Sequence, residues 1–112
     1  MSHTFDSVLD DELITILERN DSYGYYLIKI GELEESISIE LGRMVDRNDT
    51  KFWVSHSIHT PLQMGPYRTS KPYDDSPAYA LHRAIRGLTE YYREAVKQGH
   101  VPNSSWLVRN TS

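Results

Sequence analysis

Arg68 and Lys71, followed on the next element by Arg83 and Arg86, are the side chains in this sequence best suited to hold an anion. Aromatic residues are interleaved with them: Tyr67, Tyr73 and Tyr79, with Trp53 a short way upstream. Guanidinium forks match phosphate and carboxylate oxygens in pairs, and an aromatic face accepts a planar base or nucleoside ring. That combination can hold a nucleotide without a phosphate-cradling glycine loop, and the chain has no such loop: Gly65, in Met64-Gly65-Pro66, is isolated and reads as a turn residue. The competing account of the same residues is a solvated helix face, with tyrosines that pack a loop down.

Other chemistries are less well served. His56 and His59 are spaced i, i+3, which converges on a helix but sends two rings to opposite faces of a strand. With no cysteine, no His-x-His and no His-Glu-x-x-His, a metal centre would need His82 or His100 from across the fold, so neither a metal nor a cofactor is expected. Ser55, Ser57 and Thr60 lie near His59 but do not converge on a strand, and no Gly-x-Ser-x-Gly turn occurs. Asp74-Asp75 precede a helix start, where acids serve as caps. The expected binding set is therefore Arg68, Lys71, Arg83 and Arg86 for charge and Trp53, Tyr67 and Tyr73 for stacking, with His59 beside them, and no catalytic residue.

Most of these residues fall in or around Ser55–Pro77, a long irregular stretch with few aliphatic side chains. Loops longer than about 12–15 residues within a compact domain are usually functional or disordered. The elements that frame it are readable from periodicity. Leu9, Leu13, Ile16 and Leu17 recur at helical spacing over 7–19, with Asp6 or Ser7 as cap, and predict an N-terminal helix ending near Asn20. Tyr23 to Ile30, rich in aromatic and β-branched residues, predicts a strand closed by Gly31. Alternation over Glu35 to Val45 predicts a second strand, although Glu32 to Leu41 also resembles a helix start. After a polar turn over Arg47 to Thr50, Lys51 to Ile58 returns as a third.

A long amphipathic helix follows, with Ser76 as cap and Pro77 in its first position. Leu81, Ile85, Leu88, Tyr92 and Ala95 form its core face, and Tyr79, Arg83, Arg86, Glu90, Arg93 and Lys97 form a largely basic stripe opposite. Gly99 supplies the stop. Val101, Trp106, Leu107 and Val108 are too apolar for a free end and predict an extra strand or a subunit contact. The fold class is α+β: a three-stranded antiparallel sheet flanked by an N-terminal helix and a long C-terminal helix.

At 112 residues and 13.0 kDa, with 38% hydrophobic and 25% charged residues, the chain fits a single domain spanning 1–112. Absence of cysteine excludes disulfides and thiolate chemistry and fits a reducing compartment. The N-terminus lacks a signal-peptide pattern and no segment is long and apolar enough for a bilayer, so a cytoplasmic protein without a membrane partner is expected. Charge is uneven: residues 1–50 carry a balance of −8 and residues 51–112 of +4. A docking partner or attraction between the halves both account for that. Extended duplex DNA, which needs a wide basic surface, is not an expected partner.

The layout resembles the small phage proteins that sequester defence signalling nucleotides, the Thoeris anti-defence proteins. The similarity is carried by Ser57-Ile58-His59-Thr60-Pro61, Gly65-Pro66-Tyr67 and the helix Ala80 to Gly99. It implies a non-enzymatic oligomer that traps a cyclic ADP-ribose-type ligand between subunits with arginine and aromatic side chains. Two further classes stay open. One is a protein-interaction module, such as an immunity, inhibitor or anti-defence protein acting on a macromolecule. The other is a small hydrolase or transferase with His56 or His59 as base. A pocket that gathers the loop bases and tyrosines favours the ligand binder, a flat exposed stripe the interaction module, and a histidine bonded to a carboxylate in a cleft the enzyme. A homo-oligomer is expected because Trp106, Leu107, Val108 and the tyrosine-rich strand exceed what one small core covers.

Overall fold

The computed structural model describes residues 3–46 and 48–110. The elements run α1 (Phe5–Leu9), β1 (Ile14–Asn20), β2 (Tyr25–Ile30), β3 (Ile37–Arg43), β4 (Thr50–Val54), β5 (His56–Ile58), β6 (Tyr73–Asp74), α2 (Pro77–Lys97) and β7 (Leu107–Arg109). The class is α+β, but the main sheet has five antiparallel strands in the order β1-β2-β3-β4-β6, not three. A second ladder pairs β5 with β7.

The largest correction lies at the start of the chain. Residues 7–19 do not form one helix. Thr4 and Ser7 close a reciprocal capping box that starts α1 earlier, and α1 ends at Leu9. The Asp11 carboxylate then accepts the Leu13 N–H at 2.9 Å and turns the chain. Ile14, Thr15 and Ile16, β-branched residues that propagate helix poorly, pair instead with β2 through Ile14↔Ile30 and Ile16↔Ile28. The helical spacing of the leucines is shared between two elements. A bulge at Leu17 shifts the register of this edge strand.

Alternation in the next strands is realised as read. Tyr26, Ile28 and Ile30 of β2 and Ile37 and Ile39 of β3 are wholly buried on the face that α2 covers. Each such side chain contributes about 1.5–3 kcal/mol on leaving water. Glu32 to Leu41 takes no helix. Met44 N–H donates to Asp49 O at 3.0 Å across the polar turn, whose Arg47 lies outside the described residues. The predicted strand 51–58 divides at Ser55, so β4 stays in the main sheet while β5 leaves it to meet β7.

Ser76 caps α2, its Oγ accepting the Tyr79 N–H, and Pro77 sits at the start. Leu81, Ile85, Leu88, Tyr92 and Ala95 are buried, and Gly99 follows the helix at φ 93°. Most of the apolar tail is covered inside the same chain: Trp106 and Leu107 are buried and the Trp106 ring meets Tyr92 edge-on at 5.7 Å, while Val101 stays exposed. The tail supplies the extra strand, and much of the apolar surplus expected to drive oligomerisation is covered by the chain itself. No helix among the described residues is long and apolar enough to cross a membrane.

Candidate functional site

Strand β6 covers β4 only at Thr50 and Lys51, through Thr50↔Asp74 and Lys51↔Tyr73. The Phe52 N–H still donates to Pro72 O at 3.0 Å, and beyond Phe52 the outer edge of β4 has no strand partner among the described residues. The segment after Tyr67 bridges the gap on one side and α2 backs it on the other, leaving a cleft of about 420 Å³. Phe52, Val54, Ile58, Ala84 and Leu88 make it apolar, Tyr67 brings an aromatic face and Arg68 and Arg83 bring positive charge, while Trp53 borders it with its indole turned to the other face of β4. His56, Ser57 and Asn110 add polar groups. An apolar hollow with a few convergent polar side chains is the usual form of a small-molecule site.

Local sequence explains how the two aromatic residues are set. The Tyr67 N–H donates to Ile58 O at 2.8 Å, tying the loop back to β5. Gln63 orders the turn before it, accepting the Thr60 N–H at 2.8 Å and donating to Ile58 O at 3.1 Å. The Tyr67 ring then lies on α2 at Gly87, where a Cβ would stand 3.0 Å from its Cε2, and against Tyr91 with centroids 5.5 Å apart. Trp53 lies over Gly42 of the adjacent strand, where a Cβ would come within 2.8 Å of the indole. Both aromatic residues rest on glycines.

The two arginines are held differently. Arg83 donates through Nε and Nη2 to the same Asp74 oxygen, at 3.1 and 3.0 Å. Burial works against the Asp74 carboxylate, but the Asp75 N–H and Arg83 outweigh it and hold its pKa below the ordinary aspartate value. At neutral pH the charge of Arg83 is thus shared with a partner. Arg68 donates from Nη1 to the neutral Asn110 Oδ1 at 2.8 Å and has no carboxylate partner among the described residues.

His56 forms part of the wall and is buried. Its Nε2 lies 2.6 Å from Glu35 Oε1 and its Nδ1 lies 2.7 Å from Ser55 Oγ, which accepts the Ser38 N–H at 2.9 Å. Both ring nitrogens are engaged by side chains of the chain itself.

Of the residues expected from sequence, Trp53, Tyr67, Arg68 and Arg83 come together here. The others do not line the cleft. His59 Nε2 donates to Gln63 O at 3.1 Å, which makes it a loop clamp. Lys71 sits over the Tyr73 ring, 5.6 Å from its centroid, and Tyr73 belongs to the β4–β6 ladder. Arg86 is exposed and paired with Glu90 one turn along α2. Sequence reasoning weighed Ser57 only as a nucleophile and missed Gly87 and Asn110. A glycine inside an amphipathic helix was a signal for Gly87; nothing local marks Asn110. No group of three or more metal-ligating side chains occurs among the described residues.

Comparison with known proteins finds no matching family model, no matching curated protein and no matching solved structure.

Proposed function

We propose that this chain is a non-enzymatic binding protein that takes a small anionic, nucleotide-type ligand into the cleft between β4, α2 and the loop that follows Tyr67. The observation that carries the reading is the convergence of Arg68 and Arg83 with Tyr67 on one apolar hollow that Trp53 borders. A planar ring stacks on the Tyr67 face while a phosphate meets the guanidinium groups at the edge. The resemblance to Thoeris anti-defence proteins extends this to sequestration of a defence signalling nucleotide by a phage or mobile-element protein. The interaction-module alternative draws less support from α2, because Arg83, Arg86 and Arg93 of its stripe each pair with an acid of the same chain.

Calorimetric titration with AMP, ADP-ribose and cyclic ADP-ribose tests the proposal. Wild type should bind at least one of them with a strong salt dependence. Arg68→Ala or Arg83→Ala should weaken it by about 10- to 100-fold, the worth of a charge-assisted hydrogen bond. Arg86→Ala and Arg93→Ala should change little. No binding by wild type, or equal losses at all four arginines, overturns the reading.

One observation favours an enzyme: the Ser55–His56–Glu35 chain has the nucleophile, base and orienting carboxylate order of a hydrolase. Against it, neither ring nitrogen is free to take a proton from a ligand in the cleft. Ser55 itself belongs to a separate shallow depression beside Ser38 and Glu40. His56→Gln in the same titration series should retain binding, and a hydrolysed product that disappears in this variant would establish the enzyme instead.

A further inference from the structure

We infer that Asn110 is the positioning residue of the cleft: it holds the Arg68 guanidinium in place before any ligand arrives and so fixes where an anionic group docks. The inference rests on the reading of the cleft as an anion-binding site.

Asn110 follows directly on β7 and every polar group of it that bonds does so inside the chain. Its backbone N–H donates to Ser55 O at 2.8 Å. Its side-chain Nδ2 donates to Val54 O at 3.0 Å, on the outer edge of β4 where the two-residue β6 no longer reaches. A side-chain amide thus stands in for the missing strand. That anchor leaves Oδ1 facing two donors, Ser57 Oγ at 2.7 Å and Arg68 Nη1 at 2.8 Å. The orientation of the amide is forced, since the flipped form would set its NH₂ against the donor-only Arg68 guanidinium and its oxygen against the Val54 carbonyl.

Arg68 is exposed and its long side chain would otherwise sample many rotamers, all of which a ligand would have to freeze out. A neutral acceptor is the right chemistry for holding it. Asp74 holds Arg83 but cancels much of its charge, whereas an amide oxygen fixes one guanidinium N–H and leaves the full charge and the remaining donors for a ligand. The cleft therefore has unequal arginines, and Arg68 is the one with charge to spare.

The test compares wild type, Asn110→Ala, Asn110→Asp, Arg68→Ala and the Arg68→Ala/Asn110→Ala double variant in two measurements. The first is the rate at which phenylglyoxal modifies Arg68, read by peptide mass spectrometry without ligand. The second is calorimetric titration with ADP-ribose. Asn110→Ala should speed modification of Arg68 several-fold and weaken ADP-ribose about tenfold. The double variant should bind no worse than Arg68→Ala alone, because Asn110 acts through Arg68. Asn110→Asp keeps an acceptor for Ser57 and Arg68 but loses the donor to Val54 O, so Arg68 should stay protected while affinity falls through the cancelled charge; thermal melting of every variant separates positioning from any unfolding of β7. An unchanged modification rate, or losses that add in the double variant, overturns the inference. If wild type binds none of ADP-ribose, AMP and pyrophosphate while the modification rates differ as expected, the nucleotide reading falls and the hold of Asn110 on Arg68 stands.

Discussion

Gly87 shows how a single residue trades fold stability for the shape of the cleft. Glycine inside a helix costs about 1 kcal/mol relative to alanine, and this one sits within the most regular element of the chain. Its neighbour explains it: a Cβ there would crowd the Tyr67 ring at 3.0 Å, and Tyr91 limits how the ring can give way. Gly87→Ala is therefore expected to raise stability by up to about 1 kcal/mol while tilting Tyr67 out of its seat. An aromatic stack is worth about 0.5–1.5 kcal/mol, so nucleotide affinity should fall by roughly 2- to 10-fold. Melting and titration of the same preparation check both halves; a variant that melts higher and binds as tightly as wild type removes Tyr67 from the site.

Among the elements, α2 is the hub, touching α1 and four of the strands, and its joint with the β2–β3 connection is the least forgiving. Gly31 has φ 51°, and a Cβ on it would lie 2.1 Å from the Tyr92 hydroxyl oxygen, which accepts the Glu32 N–H at 3.0 Å. The Gly31 N–H in turn donates to Leu13 O at 2.8 Å. One glycine so joins β1, β2 and α2. Gly31→Ala combines left-handed backbone strain with overpacking and should cost roughly 2–4 kcal/mol. Gly65→Ala, whose Cβ would meet nothing within 4 Å, should stay within about 0.5 kcal/mol of wild type. Urea denaturation midpoints of the two variants decide this, and similar midpoints would contradict the packing described for α2.

At the scale of the whole molecule, the acidic first half and the basic second half are joined by an ion pair between Asp11 and Arg93. The hydrogen bond from Arg93 is the main reason the Asp11 pKa lies below its ordinary value of 3.8, with burial opposing and the Leu13 N–H assisting. Asp21, lowered chiefly by Arg19, and Asp74 shift the same way. A carboxylate with a depressed folded pKa binds fewer protons folded than unfolded, so its contribution is complete above 3.8 and is lost as pH falls through the lowered value. Asp11→Asn should lower stability at neutral pH by about 0.5–1 kcal/mol, the scale of a partly exposed pair. The gap to wild type should close in acid, and thermal melting across that range measures it. A constant gap would mean that the charge of Asp11 is not what stabilises the fold, since asparagine keeps the acceptor for the Leu13 N–H.

Sequence by itself determined what short-range rules govern. The caps and 3.6-residue period of α2, the period of two in β2 and β3, and the turn at Gly31 all depend on residues within a few positions of one another, and the structure realises them. It also pointed to the loop and to Arg68, Arg83, Tyr67 and Trp53 by their chemistry. It misjudged Ile14 to Asn20, because leucines spaced for a helix and β-branched residues fit for a strand share that stretch, and only the presence of β2 as a partner settles which pattern wins. It could not separate Arg83 from Arg86, whose directions on α2 are set by Asp74 in β6 and by Glu90. The cleft itself is a product of tertiary structure: it exists where β6 stops short of the end of β4 and Asn110 fills in. The bonds that build it link residues 42 and 56 positions apart, beyond the reach of any local period.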